Sequence, residues 1–186
     1  MIIIAIDPGM TGGVVRYDTD APHRSCLKFY PVPIREDGVW DPWVVARAVF
    51  QWGLEGAELF IVEQCHAFPG PQAYASAKVM EGYGQLLGNL AGRFNRSQVV
   101  ITPANVWKKE MKITVPIVKA ARLATKAEKD TAYKARKLVA VCAAETHFPG
   151  YPFRTPRGRL MDGEAEAALL ALWGSRMPKE AQYAIR

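Results

Sequence analysis

The chain opens with an apolar run, Ile2 to Ile6, that stops at Asp7. A short apolar run bounded by turn residues predicts a buried strand. A second strand is predicted over 12–17, joined to the first by the turn DPGMTG, and a third over 27–32, ending in PVP. Short runs punctuated by Gly and Pro suggest an antiparallel meander. Over 41–54, DPWVVARAVFQWGL, the apolar residues take helical spacing, with Asp41 as N-cap and Pro42 at the first helical position. AELFIVEQ holds a fourth apolar run, Leu59 to Val62, and again a carboxylate, Glu63, stands at its end. Residues 71–94 predict a long helix, 98–102 a fifth strand, and PANVWKKEM a short helix starting at Pro103. Two more helices are predicted over 127–147 and 162–177, separated by a Pro-, Gly- and Arg-rich loop at 149–161. A meander followed by alternating helices and strands predicts an α/β fold, a mixed sheet with helices packed on it.

Composition adds bounds. A chain of 186 residues predicts one domain, and 49% hydrophobic residues suffice for a core. Three cysteines, Cys26, Cys65 and Cys142, widely spaced and without a CxxC pair, form neither a disulfide framework nor a zinc site. They fit a reducing, cytoplasmic setting. No apolar run approaches the ~18 residues that span a membrane, and the N-terminal run lacks the basic flank of a signal peptide. The net charge of +6 is unevenly spread. Residues 93–137 hold twelve Lys/Arg against three Asp/Glu, a local +9, which leaves −3 for the rest. A basic stretch beside an acidic remainder suits a protein that grips phosphates.

The candidate chemistry lies in the acids. If the strands ending in Asp7 and Glu63 are neighbours, their carboxylates stand side by side, and such a pair requires a cation. Asp162 and Glu166 are four apart and share one helix face, while Glu164 points elsewhere. Four oxygen donors without His or Cys suit a hard ion, Mg²⁺ or Mn²⁺. Two such ions about 4 Å apart can clamp the attacking and leaving oxygens of a phosphodiester. Each acid also has a plainer reading as a cap, a turn residue or a dipole-matched first turn; the combination and its order carry the signal. The small residues of DPGMTGG suit a tight reversal and the close approach of a DNA backbone or a water.

In order and combination, IIAIDPGMTGGVV, FIVEQ, SAKVMEGYGQLLGNL, ITPANVWKK and DGEAEAALLALW closely resemble the RuvC family of Holliday junction resolvases, within the ribonuclease H-like superfamily. The DG-x-AEA ending is more similar to the phage or prophage branch. The resemblance implies a single RuvC-like nuclease domain over 1–186, a five-stranded mixed sheet flanked by helices, and a homodimer. It also implies Mg²⁺-dependent, symmetric nicking of four-way DNA junctions in a bacterial or phage-infected cell. By motif, its catalytic and metal-binding acids fall on Asp7, Glu63, Asp162 and Glu166. The chain departs from the pattern in spacing its last two acids by four rather than three, and in a longer segment at 108–130.

Candidate DNA contacts in the basic region are Lys108, Lys109, Lys112, Lys119, Arg122, Lys126, Lys134, Arg136 and Lys137, each of which also reads as a solvated helix-face charge. Arg154, Arg157 and Arg159, just before Asp162, could clamp a phosphate. Phe68, in the loop CHAFPGPQAY with His66 and Tyr74, occupies the place where the resembled family carries a junction-probing aromatic; it reads equally as a base stacker or a packed ring. Gly84, Gly88 and Gly92 lie on one helix face and cost about 1 kcal/mol each in helix propensity relative to Ala. A close neighbour would offset that, either the chain's own sheet or the same helix of a second subunit. Three rival classes share features: actin-like ATPases, whose opening strand and turn are similar but which need two domains; a non-catalytic branched-DNA binder; and a relative cutting structured RNA.

Overall fold

The computed structural model describes residues 1–9, 12–31, 41–67, 73–113 and 125–178. The apolar runs become five strands: β1 (Ile2–Asp7), β2 (Gly13–Asp18), β3 (Leu27–Pro31), β4 (Ala57–Glu63) and β5 (Val99–Thr102). They form one sheet in the order β3-β2-β1-β4-β5. The first three are an antiparallel meander, and β4 and β5 add in parallel. Five α-helices complete the described fold: α1 (Pro42–Leu54), α2 (Ala73–Ala91), α3 (Ala104–Glu110), α4 (Lys126–His147) and α5 (Asp162–Ser175).

Both faces of the central strands are covered, which is why β1 and β4 read as continuous apolar runs. Successive side chains point to opposite faces. Ile4, Ile6, Phe60 and Val62 pack with Tyr83, Leu86 and Leu90 of α2 and Val45 and Val49 of α1. Ile3, Ala5, Leu59 and Ile61 pack instead with α4 and α5. Asp7 and Glu63 continue these latter rows by one more step of two. Alternation alone therefore sends both carboxylates toward the α5 face.

Asp41 caps α1 as expected, its Oδ1 accepting from the amides of Trp43 at 3.0 Å and Val44 at 3.3 Å. The helix predicted over 71–94 ends at Ala91. Beyond it Phe94 turns back, its ring centroid 4.1 Å from that of Phe60. In the loop before α5, Phe153 is buried and Arg154 bridges to Leu160, so the stretch read as an exposed loop has an anchor.

Helix α5 is apolar on all sides. Ala165, the run Ala167–Ala171, and Trp173 are buried between the sheet and α4. Small side chains let it lie close to the strands. At its start Gly163 bridges to Gly12, and a Cβ on Gly13 would meet the backbone of Gly163 at 2.6 Å. At its end a Cβ on Gly174 would run into Ile61. The glycines after Asp7 thus serve the seating of α5 and the turn itself, where Gly12 donates its amide to Gly9 at 2.9 Å. At Gly13 the space is filled by the backbone of α5, whereas a Cβ on Gly12 would meet the turn's own backbone.

Candidate active site

Three elements converge at one edge of the sheet. Ile6 pairs with Val62, so Asp7 and Glu63 leave the ends of adjacent parallel strands. Seating α5 against Gly12 and Gly13 brings the helix start, with Asp162 and Glu166, over the same edge. Asp7 feels the charges of Glu166, Glu63 and Asp162, so the four acids predicted from the sequence form one electrostatic group. Glu164 is absent from that set. Its own carboxyl is pushed up mainly by burial, with the Asp162 charge adding to the shift.

The group is strained electrostatically. Burial, then Glu166 and Glu63, hold the Asp7 carboxyl well above the usual carboxylate range, with only Lys108 opposing. Burial and Glu166 raise Glu63, against Lys108 and a hydrogen bond from Trp107. Buried like charges of this kind are stable only with a counter-cation. Two lysines supply it. Lys108 Nζ lies 2.9 Å from Glu166 Oε2, and Lys137 Nζ lies 2.7 Å from Asp162 Oδ2. Burial works against the charge of both lysines, but the facing acids more than compensate and hold their pKa values above the ordinary one. Among the described residues no three carboxylates close on one point as a finished chelate. The donor set is nonetheless all oxygen and negatively charged, which fits Mg²⁺ or Mn²⁺.

Two neighbours were not legible in the sequence. Trp107 is fully buried and donates its indole N–H to Glu63 Oε2 at 2.8 Å. The signal was indirect: β5 pairs Thr102 with Glu63, and α3 starts two residues later, which returns position 107 to the carboxylate. Cys65 sits beside the acids, and burial with the Asp7 and Glu63 charges pushes its thiol up to about 12, so it remains protonated.

The candidate DNA contacts divide. Lys108 and Lys137, also read as phosphate contacts, are paired with acids of the site. Lys109, Lys112, Lys134, Arg136, Arg157 and Arg159 are exposed. Arg154, which could clamp a phosphate by its place in the sequence, is paired on the surface with Glu145 at 2.7 and 3.1 Å. Phe68, Lys119 and Arg122 lie outside the described residues, as do the side chains of Tyr74 and Lys126. His66 is exposed, as are Gly84 and Gly88 on α2 and Gly92 just beyond its end. Among the described residues, which include every strand of the sheet, a Cβ on Gly84 or Gly88 would meet nothing within 4 Å, so the sheet is not their neighbour.

The fold is that of RuvC and the ribonuclease H-like proteins: a five-stranded mixed sheet between helical layers. Thermus thermophilus RuvC in complex with a Holliday junction substrate aligns over 98% of this chain and 97% of its own, at 16% identity and TM-score 0.56. A second structure of the Thermus thermophilus protein aligns over 95% and 96%, at 17% identity and TM-score 0.49. No family model matches the sequence. No curated protein matches it. Among the described residues no helix is long and apolar enough to cross a membrane.

Proposed function

We propose that this protein is a structure-selective endodeoxyribonuclease that resolves four-way DNA junctions by divalent-metal-dependent phosphodiester hydrolysis. One observation carries the reading: Asp7, Glu63, Asp162 and Glu166 gather at one sheet edge, on the fold of a protein solved with a Holliday junction. These four carboxylates would hold the ions, and the ions would supply activation of water and stabilisation of the leaving oxygen. Trp107 fixes the orientation of Glu63. The exposed Lys109, Lys112, Lys134, Arg136, Arg157 and Arg159 hold the phosphate backbone, with Lys119, Arg122 and Phe68 as further contacts. The open glycine face of α2 supports a homodimer, whose two-fold axis would place paired nicks symmetrically. The DGEAEA start of α5 supports the phage-like branch, and three unpaired cysteines agree with a reducing cytoplasm.

The test is cleavage of a labelled four-way junction, a linear duplex and a structured RNA, in Mg²⁺ and in Ca²⁺. Junction cutting in Mg²⁺, lost in Asp7→Asn while junction binding persists, is the expected outcome. Equal cutting of junction and linear duplex refutes the substrate assignment; preferential RNA cutting moves the protein to the RNA-processing class. Binding without cutting makes it a branched-DNA binder.

A further inference from the structure

We propose that Lys108 and Lys137 are internal counter-cations of the acid site, which occupy Glu166 and Asp162 until divalent metal displaces them. The proposal rests on the metal-nuclease reading and concerns what the site does before metal arrives. The two ammonium groups come from different helices, α3 and α4, yet each ends on a different carboxylate of α5. Their side chains are only 18% and 20% exposed, so neither is a loose surface lysine.

Charge balance sets the terms of the exchange. Four ionised carboxylates and two ammonium groups sum to −2, which one divalent ion neutralises. A second ion leaves the site neutral only if both lysines withdraw. Each lysine has somewhere to go. Lys108 Nζ already lies 5.0 Å from the centroid of the Trp107 ring, and Lys137 Nζ lies 4.7 Å from that of Tyr133. An aromatic face stabilises an ammonium group without consuming a carboxylate. The lysines therefore keep the empty site folded and also compete with metal for it. The same exchange delivers two positive charges to the sheet edge only after metal has bound.

The direct test is calorimetric titration of Mn²⁺ into the DNA-free protein. Lys108→Gln and Lys137→Gln should each bind Mn²⁺ about tenfold more tightly than wild type, since a charge-assisted contact no longer has to be broken. Equal or weaker binding by both folded variants overturns the proposal. Should the variants not fold, the wild-type protein decides: reductive methylation read by peptide mass spectrometry should label Lys108 and Lys137 severalfold faster in saturating Mg²⁺, with exposed Lys28 as the reference. Labelling that ignores metal overturns the proposal as well. The underlying reading fails separately, if Asp7→Asn binds Mn²⁺ as tightly as wild type.

Discussion

Gly13→Ala should inactivate the protein without touching a carboxylate. Gly13 has no need of glycine for its backbone, since positive φ among the described glycines is confined to Gly56, Gly150 and Gly158. What forbids a side chain is α5. An added Cβ would lie 2.6 Å from the carbonyl carbon and oxygen of Gly163 and from the amide nitrogen of Glu164, where ordinary contact begins near 3.4 Å. All three atoms are backbone, so no rotamer change relieves the clash, and the start of α5 must retreat by roughly 0.8 Å. Asp162 and Glu166 retreat with it, while Asp7 and Glu63 stay on the sheet. Misplacing reacting groups by about 1 Å costs on the order of 100-fold in rate. Overpacking of this kind costs about 1–3 kcal/mol in stability, which for a chain of this size lowers the melting temperature by several degrees. Single-turnover cleavage of a labelled junction should thus fall about 100-fold in a protein that still melts cooperatively. Junction binding in Ca²⁺ should change little. A folded Gly13→Ala protein that cuts at the wild-type rate would falsify the claim that Gly13 sets the seat of α5.

Other outcomes follow from the same geometry. Asp7 and Glu63 have pKa values raised in the folded state, so the folded metal-free protein binds protons more tightly than the unfolded chain. Their contribution is fully present below the ordinary carboxylate range and is lost as pH rises through the raised values. Metal-free melts of Asp7→Asn should therefore gain stability over wild type as pH climbs toward neutrality; a difference that shrinks with rising pH contradicts this. Trp107→Phe keeps an aromatic ring but leaves Glu63 Oε2 without its donor, and should slow junction cleavage about tenfold, with a melting temperature lowered by a few degrees. Unchanged cleavage would remove Trp107 from the positioning of Glu63. Gly88→Leu adds a side chain where no described residue lies within 4 Å and should shift sedimentation toward monomer with unchanged circular dichroism. A dimer that persists would move the subunit contact elsewhere.

The parts of this fold that were readable from sequence are those whose cause is local. The apolar runs, the Asp41 cap and the acids at the ends of β1 and β4 each announce themselves within a few residues. Adjacency of Asp7 and Glu63 followed once β4 was placed beside β1. The unreadable parts depend on distant partners. Nothing near Lys108 marks it as the mate of Glu166, and nothing near Gly13 marks it as the seat of Gly163. Trp107 fell inside a predicted helix, but its indole proton finds Glu63 only because β5 runs parallel to β4. Lysines in a basic stretch read as a group; the structure separates the two that serve the acids from those left to solvent.

Helix α5 is both the innermost helix of the fold and the last described one in the chain. Its first carboxylate stands 155 positions after Asp7, so the four acids come together only once α5 has been synthesised. A nascent chain that has folded its meander and β4 presents two acids and no opposing pair. Core completion and site completion are then a single event, and a product that stops before α5 carries only half of the acid cluster.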